Sequence, residues 1–200
     1  MFDVGTLELL HPDGQVFSFD PGSLALAFAV TGPGTRAGPL ATFQTLNAPS
    51  DFDRWAAETA RVRGIRARAA DLDVAIRLQA AVWGVANAVV DREAVPASDV
   101  GVLNELAARP ALVPRLMSGP TRTWAQKQGA AAVLSTVARD AIDVFGGPLA
   151  ARLKRCEGGR CALLFVDTSR PGHRRWCSMD RCGNRAKVAA HRRRRKESDA

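Results

Sequence analysis

Residues 156–182 read Cys156-Glu-Gly-Gly-Arg-Cys161, then fifteen residues, then Cys177-Ser-Met-Asp-Arg-Cys182. Four residues separate the members of each pair, and no cysteine occurs elsewhere in the 200-residue chain. Two equally spaced pairs around a hairpin-length insert suit one tetrahedral ion held by four thiolates, Cys156, Cys161, Cys177 and Cys182. Zinc is the natural occupant, because thiolates at about 2.3 Å favour a borderline-soft ion with no geometric demand of its own. An iron–sulfur cluster takes four thiolates as well. Four protein ligands leave no open coordination position, so the expected cofactor is one structural Zn²⁺. His173, four residues before Cys177, is the weaker substitute ligand.

The residues between and after the cysteines outline a small module. Glu157-Gly158-Gly159 lets the first pair close as a tight turn, and Ala162–Val166 reads as a strand. Asp167–Gly172 is a turn with a Pro-Gly tip, and His173–Trp176 reads as the return strand. Ser178 caps a helix that carries Cys182 and runs into the basic end. Knuckle, hairpin and helix together predict a treble-clef-like finger. Some fifty residues are hard to stabilise by burial alone, and zinc binding, on the order of 10–16 kcal/mol in small fingers, supplies the difference.

Charge divides the chain at the same place. Residues 1–150 hold 13 basic and 15 acidic side chains, whereas residues 151–200 hold 15 and 5. A nearly neutral body therefore carries a strongly basic end, which points to a polyanionic partner. The chain opens Met1-Phe2-Asp3-Val4 with no basic segment ahead of an apolar run, and it has no run of 18 uninterrupted apolar residues. The expectation is a cytoplasmic protein, nucleoid-associated if it binds DNA.

The body starts with strand-like segments, Thr6–Leu10 and Gln15–Asp20, around a His11-Pro12-Asp13-Gly14 turn. Leu24–Val30 is apolar throughout and reads as a strand covered on both faces. Thr31–Ser50 contains three prolines and three glycines and reads as a loop. Helices follow. One spans about Asp51–Ala69 behind a cap-like Ser50, and another carries the stripe Leu72, Ile76, Gln79, Trp83, Ala86 and Val90. A third starts at Ser98 and closes at Pro110, and a fourth carries Leu134, Val137, Ala138, Ala141, Ile142 and Phe145 and stops at Gly146-Gly147. Trp55, Trp83, Trp124 and Met117 read as core. The predicted fold class is α+β: a mainly helical domain over 1–150 with a few initial strands, a four-cysteine finger with a basic helix over 151–196, and a disordered tail over 197–200.

The stretch Arg174-Arg175-Trp176-Cys177-Ser178-Met179, followed by Cys182-Gly183-Asn184-Arg185, resembles the CGNR-type zinc finger. The likeness covers Arg155 to about Arg195 and includes Leu164-Phe165, Asp167 and Ser169-Arg170. In that family the finger lies C-terminal to an ABATE domain, in bacterial proteins described as stress-induced transcription regulators. The body from about Leu24 to Phe145 is similar in layout, with Val30-Thr31 standing where the family has Asn-Thr. The resemblance implies metal ligation by the four cysteines and DNA binding by the finger.

On the predicted helix Arg181, Arg185, Arg192 and Arg195 fall near one face, with Lys187 and Lys196 on the same element, while Arg170, Arg174 and Arg175 project from the hairpin. Arginine forks suit phosphate oxygens and the O6/N7 edge of guanine. Asn184 is expected to brace the zinc loop rather than read adenine. The leading reading is a regulator whose finger contacts double-stranded DNA and whose body senses a small molecule or forms a homodimer. An RNA- or ribosome-associated zinc protein is the alternative, although only Trp176 and Phe165 offer stacking faces there and the chain has no tyrosine. Catalysis is not expected, because the three histidines (His11, His173, His191) fall in no nucleophile–base pattern.

Overall fold

A computed structural model of the chain describes residues 4–32, 43–119, 121–125, 128–159 and 161–198. Half of the loop predicted over Thr31–Ser50, positions 33–42, lies outside these residues, as do positions 199 and 200 of the expected tail. Helix α3 (Ala69–Asp91) is the axis of the body. Helices α1 (Leu24–Ala29), α2 (Pro49–Glu58), α4 (Ala97–Ala107) and α5 (Ala130–Gly146) pack against it. By length and composition alone α3 could cross a membrane; here its apolar surface is spent on four neighbouring helices. Enclosure on several sides also explains why the single predicted stripe is displaced. Gln79 and Ala86 are buried as expected, but Leu72, Ile76, Trp83 and Val90 are only half-buried, and Ala75, Leu78, Val82 and Val85 take the innermost places.

The segment expected to be the third strand, Leu24–Val30, is helical over Leu24–Ala29. Ser23 caps it, accepting from the Leu26 N–H at 3.1 Å, and every residue of the turn and a half is buried. A short run that is apolar on all sides has no periodicity with which to tell helix from strand. Helix α2 starts at Pro49, with Ser50 inside it, and stops at Glu58, well short of the predicted Ala69. Arg61 then adopts a left-handed φ of 59° and Gly64 one of 79°, and the chain runs as a loop to α3. A hairpin that periodicity did not reveal, β3 (Pro114–Leu116) with β4 (Arg122–Trp124), joins α4 to α5. Met117 at its tip is 55% exposed, not core.

The N-terminal hairpin forms as read. Strands β1 (Leu7–Leu10) and β2 (Val16–Phe19) pair antiparallel, Leu7 opposite Phe19 and Leu9 opposite Phe17. Gly14 at φ 85° closes the turn, donating to the His11 carbonyl at 2.9 Å. Phe17 and Phe19 point inward, and their core is not the helical one. They cluster with Val30 and with Cys156, Leu163, Phe165, Cys177 and Cys182 of the finger.

Asp140 on α5 is buried and accepts from the Ala25 N–H at 2.9 Å. Burial pushes its carboxyl above the usual value, against that hydrogen bond. The fold thus favours the protonated acid, so this group's contribution to stability is intact below the ordinary carboxylate pKa and falls as pH rises through the raised one. In Asp140→Asn that loss is absent. The thermal midpoint of the variant relative to the unchanged protein should therefore increase between pH 4 and pH 7; a difference that shrinks with rising pH would refute the assignment.

Candidate metal centre and basic helix

The finger begins at β5 (Leu153–Arg155), which pairs antiparallel with β6 (Leu164–Val166), Leu153 opposite Val166 and Arg155 opposite Leu164. The first cysteine pair therefore sits in the connection of this hairpin. The expected return strand, His173–Trp176, is not a strand. Its backbone is held largely by side chains: Lys154 Nζ donates to the Gly172 and Arg174 carbonyls at 2.7 and 3.2 Å, and Asp167 accepts from the Arg174 N–H at 2.8 Å, while the Arg175 carbonyl accepts a single main-chain bond from the Glu157 N–H at 2.9 Å. Asp167 is fully buried and also takes Lys154 Nζ at 2.8 Å and the Ser169 hydroxyl at 2.5 Å. Burial alone would raise its pKa, but these donors outweigh it and hold the carboxyl well below the usual range.

The four cysteine sulfurs all lie within 4.8 Å of one another. Cys161 and Cys177 sulfurs are 3.7 Å apart, and those of Cys177 and Cys182 3.6 Å. These separations are far too long for a disulfide. They match the edge of about 3.8 Å that a tetrahedron of thiolates 2.3 Å from a central ion must have. Two backbone N–H groups, Gly158 at 3.4 Å and Cys177 at 3.2 Å, point at the Cys156 sulfur, as suits a thiolate. Hydrogen bonding from Cys161, Cys177 and Cys182 pulls the Cys156 thiol down, whereas the bond to Cys156 first, with Cys182 and burial adding to it, pushes Cys161 and Cys177 up. Without a cation the cluster cannot ionise fully; a divalent ion removes that conflict.

Space at the centre is tight at one glycine. A Cβ on Gly158 would stand 2.7 Å from the Cys182 sulfur, while one on Gly159 would meet nothing within 4 Å.

Ser178 caps the last part of the finger as predicted, accepting from the Asp180 N–H at 3.2 Å. A π-turn over Met179–Gly183 carries Cys182, and α6 (Asn184–Ser198) follows directly. Two residues of the expected tail thus belong to the helix. Asn184, the first residue of α6, is exposed, and among the described residues its side chain braces nothing. His173 is exposed and outside the sulfur cluster.

The predicted basic surface separates into two groups. Arg181 is 4% exposed; its guanidinium binds both oxygens of Asp13 at 3.2 and 2.8 Å and Gln15 Oε1 at 2.6 Å, above the Phe17 ring. Arg174 is also turned inward: it lies 4.0 Å over the Phe165 ring and donates to the Trp176 and Cys177 carbonyls. Both serve the finger's own structure. Arg175 pairs with Glu157 beside the Trp176 ring. Arg170, Lys187, Arg192 and Arg195 are exposed, as is Arg185, which shares Asp13 at 2.8 Å. Asp13 was missed as a partner because the turn residues that mark a hairpin say nothing of what its tip will touch. The Arg181 guanidinium, opposed by some burial and helped by the Gln15 N–H and Arg185, holds the Asp13 carboxyl well below the usual range.

Family models match two segments of the chain. Residues 152–195 match the CGNR zinc finger. Residues 22–148, well over half of the chain, match ABATE, described as “putative stress-induced transcription regulator”. The chain belongs to the ABATE family. No curated protein matches it. The β1–β2 hairpin, which locks the finger of this ABATE protein to its body, lies outside both matched segments.

Gly158→Ala should lower the affinity of the centre for Zn²⁺ by at least tenfold in a chelator competition, because the new methyl group collides with a ligand sulfur. Gly159→Ala should leave it unchanged. Equal affinities for the two variants would show that Cys182 does not hold the ion in this geometry.

Proposed function

We propose that Cys156, Cys161, Cys177 and Cys182 hold one structural zinc ion, and that the finger so formed presents α6 to double-stranded DNA. The ion would supply no chemistry beyond cross-linking knuckle and helix, since all four positions around it are filled by protein. The observation that carries the reading is the state of α6. Among the described residues it packs chiefly against the π-turn that precedes it, and Arg185, Lys187 and Arg192–Arg195 are exposed along it. A helix whose apolar residues are three alanines and an exposed valine, Val188, has no wide apolar face with which to serve a protein core, and a run of arginines at its end matches a phosphate backbone.

Phosphate contacts of this kind give affinity, while base reading would fall to Arg185 and Lys187 near the start of the helix. Arg170 extends the surface from the finger loop. The body, in this reading, forms a homodimer or receives a small-molecule signal, and the protein acts on transcription from the nucleoid. RNA is the less favoured partner: Phe165 is fully buried beneath Arg174, and Arg175 lies beside Trp176, so neither ring is an open stacking platform.

Selection from a random duplex pool at near-physiological salt, with zinc-loaded full-length protein, tests the proposal. An enriched motif that disappears in Cys177→Ser is expected. Because Phe17 and Phe19 share the finger's core, the same variant should also lower the stability of the N-terminal hairpin. Retention of RNA with no enrichment of any duplex would overturn the DNA reading.

A further inference from the structure

The body bears a second basic surface, built on the loop between α2 and α3. Arg61, Arg63, Arg66 and Arg68 fall within eight consecutive positions, and all four are exposed. Among the described residues none of them forms an ion pair. Their neighbours explain why the loop holds this shape. Val62 and Ile65 are buried as anchors, and the Val62 N–H donates to the Ala56 carbonyl at 2.8 Å. The nearby carboxylates of Asp53 and Asp71 are turned to the backbone, accepting from the Ala67 and Arg68 N–H groups at 2.8 and 2.9 Å. Apolar side chains therefore point in, acids are engaged with the main chain, and four like charges point out. The β3–β4 hairpin lies alongside: Trp124 Nε1 donates to the Ala60 carbonyl at 3.1 Å, and the Arg122 guanidinium sits 4.3 Å over the Trp124 ring.

This arrangement is self-repulsive unless a polyanion meets it. The loop enters α3 at its first residue, and the finger grips α3 at its last turn, where Arg155 binds Asp91 at 2.7 Å and Asn87 at 2.7 Å. Twenty-three residues of helix place those two ends roughly 34 Å apart, close to one turn of B-form DNA.

We propose that the Arg61–Arg68 loop is a second phosphate-contacting surface, engaging the same duplex as α6 from the opposite end of α3 to the one the finger grips. This inference rests on the reading of α6 as a DNA-contacting helix. Arginine forks at an exposed loop bind phosphate oxygens without reading bases, so the loop adds affinity and fixes orientation while the finger keeps the sequence preference.

The test compares the full-length zinc protein with two variants by the salt dependence of binding to a duplex of about 24 base pairs. The first variant combines Arg61→Asn, Arg63→Gln, Arg66→Gln and Arg68→Gln, with Asn at 61 because it tolerates the left-handed backbone. The second ends at Ala190. The loop variant should reduce the slope of log K against log salt by about 2–4, at roughly 0.9 for each phosphate no longer neutralised, with zinc content and thermal midpoint unchanged. On a duplex of about 8 base pairs, too short to reach both surfaces, its slope should equal that of the unchanged protein. An unaltered slope on the long duplex, with the truncation still flattening it, overturns the inference and leaves α6 as the sole DNA-binding surface. Slopes unaltered in both variants overturn the α6 reading as well. An equal drop on the short duplex refutes simultaneous engagement. Loss of co-sedimentation with phosphatidylserine vesicles, without any change on DNA, would reassign the loop to a membrane surface.

Discussion

Four sulfurs within 4.8 Å of one another, most of them out of water, form an arrangement that only a cation makes comfortable. Much of the finger follows from that constraint. Cys156 and Cys161 bracket the β5–β6 connection, so bringing their sulfurs together closes the hairpin. Cys177 precedes the π-turn and Cys182 lies within it, so bringing their sulfurs together fixes where α6 starts and which way it leaves. Gly158 is at the centre because a side chain there would occupy the space of the Cys182 sulfur. The direction of the basic helix is thus set by the cysteine cluster rather than by packing of the helix itself.

The finger is not a free-standing bead on a linker. Phe17 and Phe19 complete its apolar core, the Val166 N–H donates to the Pro21 carbonyl at 3.0 Å, and Gly22 passes so close that a Cβ would be 2.5 Å from the Val166 carbonyl oxygen. The buried Arg181 and the exposed Asp13 close the end of this seam. Exposed ion pairs contribute little, but a guanidinium at 4% exposure with a bidentate carboxylate and an aromatic ring beneath it is costly to leave unpaired. Arg174, Arg175 and Arg181 accordingly offset thiolates, acids and aromatic faces inside the module. The excess charge that the finger leaves for a partner is narrower than the composition suggests, and most of it lies on α6.

Sequence made the chemistry of this region more legible than its geometry. Paired C-x4-C spacing, the Ser178 cap and the β1–β2 turn carry local signals that tertiary context cannot easily override, and each stands where it was read. Leu24–Val30 failed because an all-apolar run fits helix and strand alike. The return strand at His173–Trp176 failed for a different reason: Lys154 and Asp167 capture its backbone, and nothing in residues 173–176 announces partners up to twenty positions away. The end of α2 was misplaced because Arg63, Arg66 and Arg68 are good helix formers, whereas the Val62 and Ile65 anchors that pull the segment into a loop act only once α3 is in place. Which arginines face solvent and which face inward was likewise a tertiary outcome.

Rigid attachment has a consequence for how such a helix can work. Four consecutive arginines from Arg192 to Arg195 repel one another, and the favourable field at a helix C-terminus offsets part of that cost. A flexible linker would let this helix bind any phosphate array in any orientation, which gives affinity without information. Clamped through Asp13, Pro21 and Asp91 to the rest of the chain, it has one attitude relative to the body, so in the DNA-contacting reading proposed above its start would meet a defined part of the groove while its end would rest on phosphates. That fixed attitude rests on the hairpin, which neither matched family segment contains, and on the direct packing of Leu153, Leu164 and Val166 of the finger against Leu26, Ala86 and Val144 of the body.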